Sequence, residues 1–448
     1  MVERITARQF QESGGVADWR VLAFGASAWF EAPSHAAGAE LVRRIGELAD
    51  AANHHPDVDL RRTGVHVRLL THDLPGLSDH DVGLARTISE AARALGLATD
   101  PAAVQAVDLA IDTLDAGAVV PFWRTVLAHD TLEEGELVDP HRRWPPIWFQ
   151  QMDAPRPLRN RIHLDVFVPG EVAAERVAAA VAASGHVTYD KEAPRWVTLA
   201  DAEGNEADVA TWAGYETDLP GDLLTPRQFE QADGVDDWRV LQGASTYYPT
   251  ASFAQGVELV AAAASLADEA GKPLHADLRY PGVTLRVGTP EDGWLDPGFV
   301  ELTRRVQVGA HGLGLVADPT VARDLMLTID ALDIGRVRAF WAAALAYSER
   351  EDEDLYDPRL VGPAIWFQQM DAPREQRNRI HVDVFVPDDQ AQRRVTAAVA
   401  AGGRVVYDAK APFRWTVADP EGNEVDIAVA GQPFSARAAL LSPEPTGN

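Results

Sequence analysis

The sequence predicts an α+β protein in which one two-domain module occurs twice in tandem. The repeat is visible directly, because residues 148–156 read WFQQMDAPR and residues 366–374 read the same. Residues 18–22 (DWRVL) likewise return as 237–241. The offset of 366 − 148 = 218 residues is too long for a solenoid and indicates duplication of a whole module. In both copies, runs with helical spacing of apolar residues alternate with short runs typical of strands.

Each module divides into two halves near a Gly- and Pro-containing break, at residues 96–101 and again at 314–319. A polar segment, residues 218–222, joins the two modules. The tail after the last module contains Ser442-Pro443-Glu444-Pro445 and is expected to be disordered. The sequence therefore predicts domains at residues 1–98, 102–214, 222–316 and 320–432, followed by a tail at 433–448.

The first half of a module mixes helices with strands. Thr6 with Gln9 fits a capping box that opens a short helix. A helix is predicted over residues 34–51, a strand over 65–70, and a second helix beginning near Ser78 and running toward residue 95.

The second half of a module has the rhythm strand, helix, strands, repeated once. Helices are predicted over residues 119–127 and 173–183. Strands are predicted over residues 107–111, 147–151, 162–168, 187–189, 196–199 and 206–210. Two βαβββ-like units per second half are the consistent interpretation.

Composition narrows the classes of function. The 448-residue chain has a net charge of −28, and a field of that sign repels nucleic acid. It has no cysteine, which excludes disulfides and thiolate chemistry. No apolar run is long enough to span a bilayer and no signal peptide opens the sequence, so a cytoplasmic location without a membrane partner is expected.

Three histidines in the first half-module form a candidate acid/base site. His54 and His55 precede Pro56, and His72 follows the next apolar run. Histidine can give and take a proton near neutrality, which makes such a cluster suited to proton transfer. The alternative is a surface turn with solvated rings.

These residues resemble the signature of the pterin-4a-carbinolamine dehydratase family. Asp50, His54, His55, Pro56, His72 and Asp81 fall at the family's spacing. The resemblance covers about residues 5–97 and implies a hydro-lyase in which His54, His55 and His72 transfer protons, with no metal or redox cofactor required. We also assign Asp57 and Asp81 to the substrate site, Asp57 as a carboxylate able to fix an imidazole tautomer. Arg62 departs from the family, which usually has an aromatic ring there.

The second copy lacks the three imidazoles. Lys272, Pro273 and Pro290 stand at their positions, while Tyr280 occupies the aromatic position that Arg62 leaves without a ring. This copy is expected to be a scaffold or an interface partner. Alternatively, the copies share one site that Tyr280 completes. The two copies could form an internal pseudo-dimer, or the chain could form a homodimer.

The second half-modules resemble the glyoxalase-like branch of the vicinal oxygen chelate superfamily. The carriers are residues 161–166 (RIHLDV) and 201–208 (DAEGNEAD), with 419–426 repeating the latter. The resemblance implies a curved sheet around a divalent metal held by Asp108, His163 and Asp208. The matching set in the second copy is Met326, His381 and Asp426, where a thioether is a poor ligand for a hard ion.

Three functions remain open from the sequence. Dehydration of a 4a-hydroxytetrahydropterin in the first half-module leads. A metal-dependent lyase, isomerase or dioxygenase in the barrels is the second, and a non-catalytic protein that binds a small planar molecule is the third. Trp148 and Gln150 of the first copy and His381 of the second copy are predicted substrate contacts.

Overall fold

The computed structural model describes residues 4–23, 25–71, 76–132, 135–212, 219, 221–292, 294–350 and 354–430. In the first module the elements are β1 (Arg4–Ile5), α1 (Ala7–Glu12), β2 (Arg20–Leu22), β3 (Gly25–Glu31), α2 (His35–Ala52), β4 (Asp57–Arg61), β5 (Gly64–Leu69), β6 (Leu77–Ser78), α3 (Asp79–Ala94), β7 (Ala106–Thr113), α4 (Ala116–Leu127), β8 (Asp130–Thr131), β9 (Leu137–Val138), β10 (Ile147–Gln151), β11 (Ile162–Phe167), α5 (Gly170–Ala182), β12 (His186–Tyr189), β13 (Trp196–Ala200) and β14 (Glu206–Ala210).

The second module repeats this order, except that its described residues contain no counterpart of β1 or β6. Its elements are α6 (Pro226–Glu230), β15 (Arg239–Val240), β16 (Ala244–Pro249), α7 (Phe253–Ala270), β17 (His275–Arg279), β18 (Gly282–Val287), α8 (Pro297–Gly312), β19 (Asp324–Ala331), α9 (Ile334–Leu345), β20 (Ser348–Arg350), β21 (Asp354–Tyr356), β22 (Ala364–Gln369), β23 (Ile380–Phe385), α10 (Asp388–Ala400), β24 (Arg404–Tyr407), β25 (Arg414–Ala418) and β26 (Glu424–Ala428). The predicted α+β class is confirmed, with helices and strands in both modules.

The first halves of the two modules form one eight-stranded sheet. Its strand order is β15-β16-β18-β17-β4-β5-β3-β2, and the copies join where β17 pairs antiparallel with β4. The register places Leu278 opposite Val58 and Asp277 opposite Asp59. The helices of both copies pack on one face, and a single hydrophobic core runs through both. The duplication therefore produces an internal pair of first halves.

The opposite face of this sheet is polar and buried. Along β4, Val58 and Leu60 face the core, while Asp57, Asp59 and Arg61 face the barrels. Arg61 Nη2 lies 2.6 Å from Asp277, and Arg279 Nη2 lies 2.6 Å from Asp59. Arg61 also donates to the carbonyl of Leu360 in a barrel loop, at 2.9 Å. Pairing of every one of these charges offsets the cost of burying them.

The second halves exchange strands between the modules. One sheet runs β24-β25-β26-β23-β7-β10-β9-β8, and the other runs β12-β13-β14-β11-β19-β22-β21-β20. In each sheet an antiparallel pair, β23 with β7 or β11 with β19, joins a unit of one module to a unit of the other. The expected domains at 102–214 and 320–432 therefore do not each enclose a barrel of their own. Strands of the same module that are close in sequence do not pair here, because β11 pairs with β19 of the other module rather than with β7 of its own.

The glyoxalase-like motif residues hold this exchange together. Arg161 Nε donates to Asn423 Oδ1 at 2.8 Å, and Arg379 Nε donates to Asn205 Oδ1 at 2.7 Å. The backbone N–H of Arg379 also donates to Asn160, at 2.9 Å. Both guanidinium groups are buried and serve the contact between modules.

Among the residues that the structure describes, no helix combines the length and apolar character needed to cross a membrane. The predicted disordered tail, residues 433–448, lies outside the described part of the chain.

Candidate active site

His54 is positioned by the end of helix α2. Asn53 terminates that helix in a left-handed conformation (φ 46°), and the His54 N–H then donates to the carbonyl of Ala49 at 3.0 Å. The turn directs the His54 ring inward, where Nε2 lies 2.7 Å from Asp81 Oδ1. Both side chains are buried, so His54 is not the solvated turn residue of the alternative interpretation.

Asp81 lies in the first turn of α3 and accepts several hydrogen bonds. Its Oδ2 accepts from the Thr71 hydroxyl at 2.6 Å and from the Ser78 N–H at 2.7 Å. Burial alone would raise the pKa of Asp81, but the hydrogen bonds from His54, Thr71 and Ser78 outweigh it and lower that pKa. An ionised carboxylate can only accept, so His54 must carry its hydrogen on Nε2, which leaves Nδ1 as the basic nitrogen.

His55 is partly exposed and lies against the second copy. Its Nε2 is 2.8 Å from Oδ1 of Asp50, which lies five residues earlier in the last turn of α2. The ring stacks on Tyr280, with centroids 5.2 Å apart and planes 18° apart. It also contacts Phe253, at 5.0 Å between centroids. The two predicted imidazoles thus each have a carboxylate partner.

His72 and Asp57 are the other two residues predicted for this site. His72 lies outside the described residues, so its role stays a prediction. Asp57 is buried on the barrel-facing side of the sheet, where Arg68 lies 2.6 Å and Arg142 2.9 Å from its carboxylate. Burial opposes ionisation, but Arg68, Arg279 and Arg142 hold the pKa of Asp57 well below its usual value. Asp57 is therefore part of the ion-pair network, and Asp81 and Asp50 are the carboxylates that fix the imidazole tautomers.

Each exchanged sheet carries a row of aligned residues across three strands, in which every member but Met326 is a carboxylate. One row is Met326, Asp165 and Asp208, on β19, β11 and β14. The other is Asp108, Asp383 and Asp426, on β7, β23 and β26. The expected metal set of Asp108, His163 and Asp208 is thus divided, because Asp108 lies on a different sheet from the other two. The exchange of strands is the physical reason.

The row that contains Asp165 is accompanied by His163 and could hold a cation. His163 Nε2 is 3.4 Å from Asp165 Oδ1 and 3.9 Å from Asp208 Oδ2. Burial is the main cause that raises the pKa of Asp165 to about 7, with Asp208 adding to it and His163 opposing it. Burial also raises the pKa of Asp208. Within the described residues, Oδ1 of each carboxylate has no hydrogen-bond partner.

The row that contains Asp383 is accompanied by His381 and has a cation of its own. Arg414 Nη2 lies 2.7 Å from Asp426, and Thr416 donates to the same carboxylate. Burial is the main cause that lowers the pKa of His381 to about 4, with Arg377 and Arg414 adding to it and Asp112 opposing it. In the first copy Trp196 stands where the second has Arg414.

A divalent ion fits the first of these clusters better. His163, Asp165 and Asp208 offer one nitrogen and two carboxylates whose ligand atoms all lie within 4.8 Å of one another. Burial raises the pKa values of Asp165 and Asp208, and a bound cation would favour their charged forms. An imidazole with carboxylates suits several divalent metals. At Asp426 the guanidinium of Arg414 already neutralises the carboxylate, so a metal would have to compete with it.

The predicted substrate contacts Trp148 and His381 come together across the module exchange. Their rings meet edge to face at 6.2 Å, and Trp148 Nε1 donates to Asp383 Oδ2 at 2.9 Å. Gln150 lies two residues further along β10, on the same face of that strand. These three residues line one sheet although they come from different copies.

Sequence reasoning missed four participants. Asp165 and Asp383 were not assigned to a metal site, although a residue two positions from a predicted ligand lies on the same face of its strand. Asp50 was part of the family spacing but was not placed at the site. Phe253 gave no signal, since it lies on the other copy.

Comparison with known proteins agrees with this architecture. Residues 3–91 match the family described as pterin 4 alpha carbinolamine dehydratase. Residues 108–210 and 326–428 each match the family described as glyoxalase-like domain. The chain thus combines an amino-terminal dehydratase domain with two glyoxalase-like domains.

Curated relatives resemble the first domain. A Nocardia farcinica protein named "Putative pterin-4-alpha-carbinolamine dehydratase" is 42% identical over 76 residues, which are 17% of this chain and 80% of that protein. One of the same name from Herpetosiphon aurantiacus is 51% identical over 49 residues, 11% of this chain and 51% of the relative. This chain spans about half the length of the latter. Through its amino-terminal domain the chain belongs to the pterin-4a-carbinolamine dehydratase family.

Among solved structures, glyoxalase I from Zea mays aligns with 75% of this chain and 96% of its own, at 8% identity and a TM-score of 0.37. Similarity at that level carries no inference about activity.

Proposed function

We propose that the amino-terminal domain dehydrates a 4a-hydroxytetrahydropterin or a related carbinolamine. The observation that carries the proposal is the buried His54–Asp81 pair, 2.7 Å apart, within the range that matches the family. The reaction expels the hydroxyl of the carbinolamine as water and removes the proton of the neighbouring nitrogen. Cleavage of the C–O bond needs a proton on the departing hydroxyl, and formation of the C=N bond releases the proton of the nitrogen. Both proton transfers suit imidazoles.

The geometry supports distinct roles for the two histidines. Ionised Asp81 holds the hydrogen of His54 on Nε2 and stabilises the imidazolium that forms when Nδ1 takes a proton, so we assign His54 as the base. His55, partly exposed beside Asp50, supplies a proton to the departing hydroxyl. His72, from the family spacing, is proposed as a third proton-transfer residue.

The test follows formation of the quinonoid dihydropterin in the full chain. His54→Ala and His55→Ala should each lower turnover by roughly 10²–10⁴-fold, the usual contribution of a positioned acid or base. His80→Ala is the matched control, because His80 is an exposed histidine on α3 whose ring lies 6.4 Å from His54. Full turnover without His54 would remove the proposal.

A second candidate function is metal-dependent chemistry in the sheet that holds His163. The grouping of His163, Asp165 and Asp208, whose ligand atoms all lie within 4.8 Å of one another, favours it. A divalent ion held by His163, Asp165 and Asp208 would polarise a substrate oxygen as a Lewis acid. Elemental analysis of protein prepared without chelator tests this, with loss of the ion expected in Asp208→Asn.

A further inference from the structure

The two first halves have complementary side chains where they meet. The first copy has the imidazoles His54 and His55 but Arg62 at the aromatic position. The second copy has Lys272 and Pro273 at the imidazole positions but Tyr280 at the aromatic one. The sheet register determines which of these side chains become neighbours.

Pairing of β17 with β4 places Tyr280 beside His55. Leu278 lies opposite Val58, so two residues further on Tyr280 lies opposite Pro56, next to His55. The stacked contact at 5.2 Å follows from this register. By the same symmetry, Arg62 of the first copy lies opposite Leu274, on the side of the second copy that has no imidazoles.

A second pair of equivalent residues shows the same asymmetry. Phe253 opens α7 and packs on the His55 ring at 5.0 Å. Its equivalent in the first copy is His35, which lies at the other end of the interface and whose ring nitrogens pair with Asp268 and the Leu274 N–H. The interface is therefore aromatic at the end that has imidazoles and polar at the other end.

We propose that the second copy supplies Tyr280 to the first copy's site as a positioning residue, which holds the His55 ring and forms an aromatic wall for the substrate. This rests on the proposed dehydration. Tyr280 is half exposed, so part of its ring is open to a planar ligand, and offset stacking of aromatic rings is favourable. The chain then holds one composite site rather than one site and an idle copy.

The substitution Tyr280→Ala in the full chain tests this, with Tyr280→Phe as the conservative variant. Removal of the ring should lower kcat/KM for the carbinolamine about tenfold or more, with KM rising as the wall is lost, and Tyr280→Phe should stay within about twofold of wild type. Arg62→Ala is the matched control at the symmetry-equivalent position and should leave kcat/KM unchanged. Should the Ala variant lower the unfolding midpoint, Tyr280→Gln removes the ring while keeping a side chain suited to an exposed turn.

The outcomes separate the two claims. If the wild-type chain is active and Tyr280→Ala or Tyr280→Gln is equally active, the shared site is overturned and the dehydratase assignment stands. Loss in Tyr280→Phe equal to that in Tyr280→Ala would also overturn it, because the ring alone is held responsible. An inactive wild-type chain would overturn the dehydratase assignment, and the shared site with it.

Discussion

Replacement of Asp81 by Asn should separate the catalytic from the structural role of the carboxylate behind His54. The Asp81 carboxylate accepts from His54 at 2.7 Å, from Thr71 at 2.6 Å and from the Ser78 N–H at 2.7 Å. An amide of the same shape can donate where the carboxylate only accepted. It would therefore favour the opposite tautomer of His54 and present the wrong nitrogen to the substrate.

The magnitude follows from these contacts. A hydrogen bond to a charged group contributes about 1.5–3 kcal/mol and a helix-capping contact about 1 kcal/mol, so the variant should lose on the order of 2–4 kcal/mol of stability. Turnover should fall by roughly 10²–10⁴-fold, as for loss of a positioned base. Asp79→Asn is the control, since Asp79 is an exposed carboxylate in the same first turn of α3.

The pH dependence of stability gives an internal check. The folded pKa of Asp81 is lowered, so its contribution is present above the unfolded value of about 3.9 and is lost as pH falls through the folded pKa. The difference in denaturation midpoint between wild type and Asp81→Asn should therefore be constant near neutrality and shrink below about pH 4. A folded Asp81→Asn protein with turnover within about threefold of wild type would refute the tautomer argument.

Three further predictions concern other parts of the chain. Protein prepared without chelator should contain a divalent ion that is lost in Asp208→Asn and kept in Asp426→Asn, measured by elemental analysis; equal loss in both would contradict the preference for the His163 cluster. Burial lowers the pKa of His129 to about 4 against an opposing effect of Asp139, so protonation of this ring opposes folding. The free energy of unfolding should therefore fall by roughly 3 kcal/mol as pH drops from about 6.5 to 4. The variant His129→Asn should show a smaller change over the same pH range. Gly46→Ala should destabilise the protein, because the added Cβ would lie 2.9 Å from Val257 Cγ2 across the helix pair α2–α7. Gly83→Ala, on the exposed side of α3, places its Cβ where nothing lies within 4 Å and should stabilise the protein by about 0.5–1 kcal/mol. Melting temperatures that shift in the same direction for both variants would contradict the close packing.

Local elements were predictable from the sequence because they depend on near neighbours. The helix predicted over 34–51 is observed as His35–Ala52, with Ser34 accepting from the Ala37 N–H. The capping box at Thr6 is confirmed. Periodicity and caps act within one or two turns, so they are legible in a short window of residues.

The pairing of strands was not predictable in the same way. The exchange between β11 and β19 joins residues more than 150 apart in sequence, and every strand concerned has the same alternating pattern. The expected metal set failed at this point, since Asp108 aligns with Asp383 and not with Asp165. Similarly, Asp57 looked available beside His55, but alternation along β4 directs it to three arginines on the opposite face.

The most direct test is the rate of 4a-hydroxytetrahydropterin dehydration by the purified full chain, compared with buffer and with His54→Ala at equal concentration. Our account predicts acceleration by the wild-type protein that falls to near the buffer rate without the His54 imidazole. Equal rates in all three samples, or equal acceleration by both proteins, would contradict it.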